Sequence, residues 1–311
     1  MADSLSEDDV PVQSNRWRGS SSNGSPTDGS RLLAAQAHCR RIALGHYENF
    51  LVASALLPRS MKQPFYNVYA FCRHADDLAD ESPSPAIATE RLSQWQQELD
   101  RCFAGQSVEH PIFIALAETI PRFDLQKRPF DDLLDAFRQD QIKIRFANFA
   151  ELLDYCGRSA NPVGHIVLRM AAADSPENIA LSDSICTGLQ LANHWQDIRR
   201  DLQAGRIYLP QDAMAAENIA ESMLAGDRAC EAIKRVIAAQ CGQARRFLIA
   251  GLPLADNVPR WLAADIRLFV HGGLATLDAI ARCDHDTLRK RPTVSKTRQI
   301  NLVVRAMLGR L

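Results

Sequence analysis

LSDSICTGLQLANHWQDIRRDL, residues 181–202, carries two separate stripes at helical spacing. Leu181, Ile185, Leu189, Ala192, Trp195 and Leu202 form an apolar one, and Gln190, Asn193, Asp197 and Asp201 form a polar one. At about 100° per residue those four polar groups stay within an arc of about 80°. A helix that gives one face to a core and another, continuous face to amide and carboxylate oxygens presents hard ligands for a hard cation. A second stretch, YNVYAFCRHADDLADE at residues 66–81, does the same with different chemistry. It gathers Tyr66, Tyr69, Arg73, Asp76, Asp77 and Asp80 within about 100° of arc. Two such helices, distant in sequence, suggest one site with carboxylates on opposite walls.

Outward from these stretches, apolar residues recur at helical spacing from Leu32 onward, and no useful run alternates with period two, so the body is expected to be all-α. Prolines at 111, 121, 129, 162, 176, 210, 253, 259 and 292 divide it into eight or more helices with short connections. No repeat of solenoid length is present. Residues 1–31 hold eight Ser, three Gly and few large apolar groups, and read as a disordered polar tail without the apolar region of a secretory signal. Residues 32–311 then form a single all-α domain with no linker-like break.

The formal net charge of −1 argues against a nucleic-acid partner. Eight cysteines without CxxC or zinc-ligand spacing read as reduced thiols of a cytoplasmic protein. No run approaches the roughly 20 apolar residues of a spanning helix, so any membrane contact would be peripheral.

Asp76 with Asp80, and Asn193 with Asp197 and Asp201, suit magnesium, which takes one or two carboxylates plus phosphate oxygens and water rather than a closed protein cage. The chemistry this fits is departure of a diphosphate, whose leaving oxygens need neutralising. Arg73, Arg206 and Lys290 are candidate extra cations. A carbocation left behind needs a pocket poor in nucleophiles, and Tyr66, Tyr69, Phe71, Phe137 and Trp195 are candidate aromatic faces for it.

The ordered set HYENF (46–50), YAFCRHADDLAD (69–80), QLANHWQDIRRD (190–201) and GRIYLP (205–210) resembles the squalene and phytoene synthase family of head-to-head isoprenoid synthases over about residues 38–300. The resemblance implies a single-domain helical bundle with a central cavity. It implies magnesium on Asp76, Asp80, Asn193 and Asp197, with Asp201 completing the second motif, and diphosphate contacts from Arg73, Tyr69, Gln190 and Arg206. His46, at the head of HYENF, would lie near the diphosphate.

Two departures refine this. The family usually has Arg just before the middle Asp of the second motif, where this chain has Gln196. Condensing members favour small, hydroxyl-rich or basic residues after the first His, where this chain has Tyr47, Glu48 and Asn49. Both point to a site that handles one diphosphate group. HYENF, FRQD (137–140), RSANPVG (158–164) and NHWQD together resemble the bacterial hydroxysqualene synthases of hopanoid pathways. That subfamily ionises presqualene diphosphate with magnesium and lets water capture the rearranged cation. No nicotinamide is expected, and no GxGxxG follows a strand. Glu48, Asp140 and Gln196 are candidates to orient the water, Glu48 foremost. The alternatives are a condensing synthase making presqualene diphosphate or phytoene, and a catalytically dead helical scaffold. A pathway reductase is a conceivable partner.

Several residues have plainer readings. His74 is expected to be structural, since neutral imidazole suits softer metals than magnesium. His285 and Asp286 form an HD dipeptide without further His ligands. Asp131 and Asp132 follow Pro129 and suit a helix N-terminus. Arg289, Lys290, Arg291, Lys296 and Arg298 form a basic cluster that suits a solvated surface, anionic lipid or a diphosphate lid equally.

Overall fold

The computed structural model describes residues 28–45, 57–307 and 311. Among them the chain forms twelve α-helices and two short 3₁₀ turns. Among the described residues, the only pairing of β type is a single bridge between Arg145 and Ile207. The helices are α1 (Asp28–Gly45), α2 (Arg59–Asp80), α3 (Pro85–Phe103), α4 (Pro111–Phe123), α5 (Arg128–Gln139), α6 (Phe149–Ser159) and α7 (Asn161–Met170). They continue as α8 (Pro176–Gln203), α9 (Gln211–Ala216), α10 (Glu231–Gly251), α11 (Arg260–Arg282) and α12 (Lys296–Met307). The first helix begins at Asp28, inside the segment read from sequence as a polar tail, and residues 1–27 lie outside the described part.

Local chemistry sets the helix starts. Ser84, Asn148 and Ser175 cap α3, α6 and α8 by accepting from backbone N–H groups three residues on. Proline occupies the first turn of α3, α4, α5, α7 and α8, where its missing N–H costs nothing. Pro121, expected to break the chain, sits instead in the last turn of α4, whose end comes at Asp124 in the left-handed conformation.

Two apolar clusters hold the bundle. One joins α1 to α5 around Phe71, Trp95, Phe113 and Phe130, and the other joins α6 to α11 around Trp195, Ile237, Leu248 and Ile280. Each contributes one of the two motif helices. Within the first, buried Asn67 donates to Ala115 O at 3.1 Å and Thr119 Oγ1 at 2.9 Å, and accepts from Gln63. Asn67 and Asp76 are nine residues apart, about 180° around α2. Tying Asn67 to α4 therefore turns the carboxylates the other way. Within the second, α10 runs so close to α8 that a Cβ at Gly188 would stand 2.9 Å from the backbone N of Leu248.

Packing also corrects two expectations. Phe71 and Trp195 are 0% exposed, so they are core rather than pocket wall. His74 lies against Trp95 at 4.4 Å between ring centroids and burial lowers its pKa, which agrees with a structural role. Asp286 accepts from the backbone N–H groups of Ala229 and Arg289, so the HD dipeptide is loop architecture. Asp131 and Asp132 pair with Lys127 and Arg128 at the start of α5.

Candidate active site

On α2, Arg73 reaches Asp76 at 3.0 Å and Asp77 at 2.5 Å, one turn along the same face. Asp80, at the end of that helix, accepts from Arg206 at 2.8 Å. Arg206 comes from the far side: it follows α8, where the chain turns through Gly205 at φ +78°, a conformation that suits glycine. Its own backbone N–H returns to Asp201 O at 2.7 Å, and Ile207 N–H donates to Ile144 O. This tight turn brings a guanidinium from the second motif onto a carboxylate of the first.

The electrostatics reflect the same crowding. Burial, reinforced by Asp80, pushes Asp76 up to about 6. Burial, reinforced by Asp197, pushes Asp201 up to about 7. Asp140 is likewise raised by burial to about 7, although Arg206 and the Tyr155 hydroxyl, which donates to it at 3.0 Å, pull the other way. Arg206 is stabilised as a cation by Asp80 above all. It holds together acids that would otherwise repel one another.

Asp197 is held from a third direction. Arg291, in the segment between α11 and α12, donates to Asp197 Oδ1 at 2.5 Å and Oδ2 at 3.0 Å, and to Gln196 Oε1 at 3.1 Å. Gln196 in turn donates to Pro292 O at 2.6 Å, and Arg199 to Leu288 O at 2.6 Å. Residues 288–292 are thereby strapped across the second motif. Gln196, expected to face substrate, is buried with both ends of its amide engaged. The positive charge that Gln196 appeared to remove is supplied here by Arg291. The sequence offers Lys290 as the candidate cation and puts Arg291 in a basic cluster that suits a solvated surface, anionic lipid or a diphosphate lid equally. The available signal was Pro292, which keeps this basic run out of a helix and free to cross another one.

Gln190 and Asn193 stand on the same face of α8 as Asp197, Gln190 half-buried and Asn193 exposed. Tyr69 is half-buried and Tyr66 buried on α2. His46, Tyr47 and Glu48 lie outside the described residues.

A hard cation suits this donor set. Among the described residues no three acids or soft ligands converge into a ready cage, because guanidinium groups already occupy Asp76, Asp80 and Asp197. Asp201 Oδ2, by contrast, is buried without a hydrogen-bond partner. All-oxygen donors on two helices match magnesium completed by substrate oxygens better than a closed site. The expected ligands are present, and they are not preassembled.

A fold of helices only, with two acidic, arginine-bridged motif helices facing one another, is that of an isoprenoid synthase. Solved structures agree. A squalene synthase, HpnC from Alicyclobacillus acidocaldarius, superposes with a TM-score of 0.78 at 40% identity, covering 82% of this chain and 95% of that one. A dehydrosqualene synthase at 23% identity shares the fold with a TM-score of 0.82, over 91% of this chain and 98% of that one. In sequence, the phytoene synthase of Arthrospira platensis is 30% identical over 273 residues, 82% of this chain and 87% of that protein. Residues 44–298 match the squalene/phytoene synthase family, and the chain belongs to that family.

Proposed function

We propose that the chain is a hydroxysqualene synthase. It would take presqualene diphosphate, break the C–O bond to the diphosphate, rearrange the cyclopropylcarbinyl cation and join it to the oxygen of one water, releasing hydroxysqualene, diphosphate and a proton. The observation that carries this reading is the likeness to HpnC, which extends over 82% of this chain and 95% of that one. The resemblance of HYENF, FRQD, RSANPVG and NHWQD to the bacterial hydroxysqualene synthases supports it, as does the 40% identity to HpnC.

In this reading Asp76, Asp80, Asn193, Asp197 and Asp201 hold magnesium, which when bound neutralises charge on the departing diphosphate. Arg73, Arg206 and Arg291, released from their carboxylates, are placed to grip the diphosphate oxygens. Tyr69 and Gln190 orient the substrate from the two helices. No described helix is long and apolar enough to cross a membrane. A cytoplasmic enzyme that touches the membrane surface to exchange apolar substrate and product, alongside a pathway reductase, completes the reading.

A condensing activity is the second reading, favoured by the phytoene synthases among the relatives. The test is to incubate the protein with presqualene diphosphate and magnesium, without nicotinamide, and to identify the product by mass spectrometry. A C30 alcohol that disappears in Asp76→Ala and Asp197→Ala is the expected result. Untouched presqualene diphosphate, with farnesyl or geranylgeranyl diphosphate condensed instead, would establish the second reading.

A further inference from the structure

Beside the C-terminal half of α8 lies a small space of about 10 Å³ lined by His194, Ile198, Asp201, Arg206, Ile207, Tyr208, Leu209 and Leu224. That is room for about one water molecule. Two of the residues that line it carry a buried polar atom with no hydrogen-bond partner among the described residues, His194 Nε2 and Asp201 Oδ2. His194 is 6% exposed, and its ring is stacked on Tyr208 at 3.7 Å between centroids with planes 20° apart. The stack fixes the imidazole in place. Arg206, which lines the same space, is itself held by Asp80 at 2.8 Å.

A buried polar atom left unpaired is costly, and two on residues lining one small space are unusual in a stable protein. Neither atom has a hydrogen-bond partner, and the space that both residues line has room for one water that can bond to both. Water both donates and accepts, so it can satisfy either tautomer of His194 and still leave Asp201 Oδ1 to face the site.

We propose that His194 is a positioning residue, holding Asp201 through one water so that this carboxylate keeps the orientation the site requires. The inference rests on the reading of Asp201 as a metal ligand only for its consequence, and the water itself is independent of that reading. Groups that orient metal-binding side chains from behind typically change metal affinity by about 10- to 100-fold when removed.

Two variants separate this role from simple packing. His194→Phe keeps the stack on Tyr208 and fills the space with carbon, whereas His194→Gln keeps a polar terminus near the position of Nε2. Crystal structures of the wild type and His194→Gln should show one ordered water within hydrogen-bond distance of residue 194 and Asp201, and His194→Phe should show none. In solution, Mn²⁺ titrated into the proteins should bind His194→Phe about tenfold more weakly and His194→Gln within about twofold of wild type, with thermal melts confirming that both are folded. A dry space in the wild-type crystal overturns the proposal, and so does equal Mn²⁺ affinity in the two variants. If Mn²⁺ bound none of the three proteins, the metal reading of Asp201 would fall, and the crystallographic water alone would decide whether His194 holds it.

Discussion

Arg291 grips Asp197 with two nitrogens, at 2.5 Å and 3.0 Å, across 94 residues of sequence. A carboxylate expected to bind metal is thus occupied by the protein's own cation. On the proposed reading, metal at Asp197 would displace Arg291, and a diphosphate arriving with it would offer the guanidinium a new partner. Arg291→Ala should therefore bind Mn²⁺ a few-fold more tightly than wild type in the absence of substrate, since a half-exposed ion pair is worth up to about 1 kcal/mol. The same variant should bind inorganic pyrophosphate with Mn²⁺ more weakly. Calorimetric titration reads both, and weaker Mn²⁺ binding to the variant alone would contradict this competition.

Proton linkage follows from the raised pKa values of Asp76, about 6, and Asp201, about 7. Below those values each acid holds a proton that metal must expel. Metal affinity should rise from pH 6 to pH 8, by up to about tenfold per pH unit for each proton displaced, and flatten above. Titrations at pH 6 in two buffers of different ionisation enthalpy should give different apparent heats. Identical heats would show that no proton leaves.

Arg206 stabilises the acids on both motif helices. Its replacement by Met should raise the pKa values of Asp76, Asp140 and Asp201 further in the folded state, because it lowers each of them now. An acid with a raised folded pKa binds more protons folded than unfolded, so stability falls as pH climbs from the unfolded carboxylate range of about 4 through the folded value. Arg206→Met should lose more thermal stability at pH 8 than at pH 5.5. An equal loss at both would assign Arg206 a packing role only.

Asp265 provides a test remote from the motifs. It lies on α11, 2% exposed, with Oδ1 lacking a hydrogen-bond partner and burial alone raising its pKa to about 8. By the same sign, the stability it removes grows between about pH 4 and pH 8 and then levels. Asp265→Asn, which cannot ionise, should be stabilised relative to wild type, with the gain larger at pH 8 than at pH 5.5. Melting curves at the two pH values decide it.

The strap over the second motif explains how far the candidate site could be read in advance. That Asp76, Asp80 and Arg73 share one helix face, and Asp197 and Asp201 another, was legible because helical periodicity turns residue spacing into a face, and a face into a shared direction. Arg291 was not legible. Its partner is distant in sequence, and a basic run reads the same whether it is solvated or laid across a helix. Gln196 misled for the same reason: a neutral residue at a cationic position looks like a lost charge until the chain that replaces it is in view. Among the aromatics, Phe71 and Trp195 share helices with the motifs, and only packing shows them turned into the two cores.

The sequence by itself determined that the described body is helical, where several of its helices start, and that two of them carry carboxylates on one face. Those properties depend on contacts between residues three and four apart and on caps within one turn. Tertiary structure alone decided which cation meets which carboxylate. It also decided that buried Asn67 turns one motif outward from its core, and that His194 and Asp201 share a space of one water. Those outcomes depend on which distant segments meet and on what burial does to charge, and neither is written in local spacing.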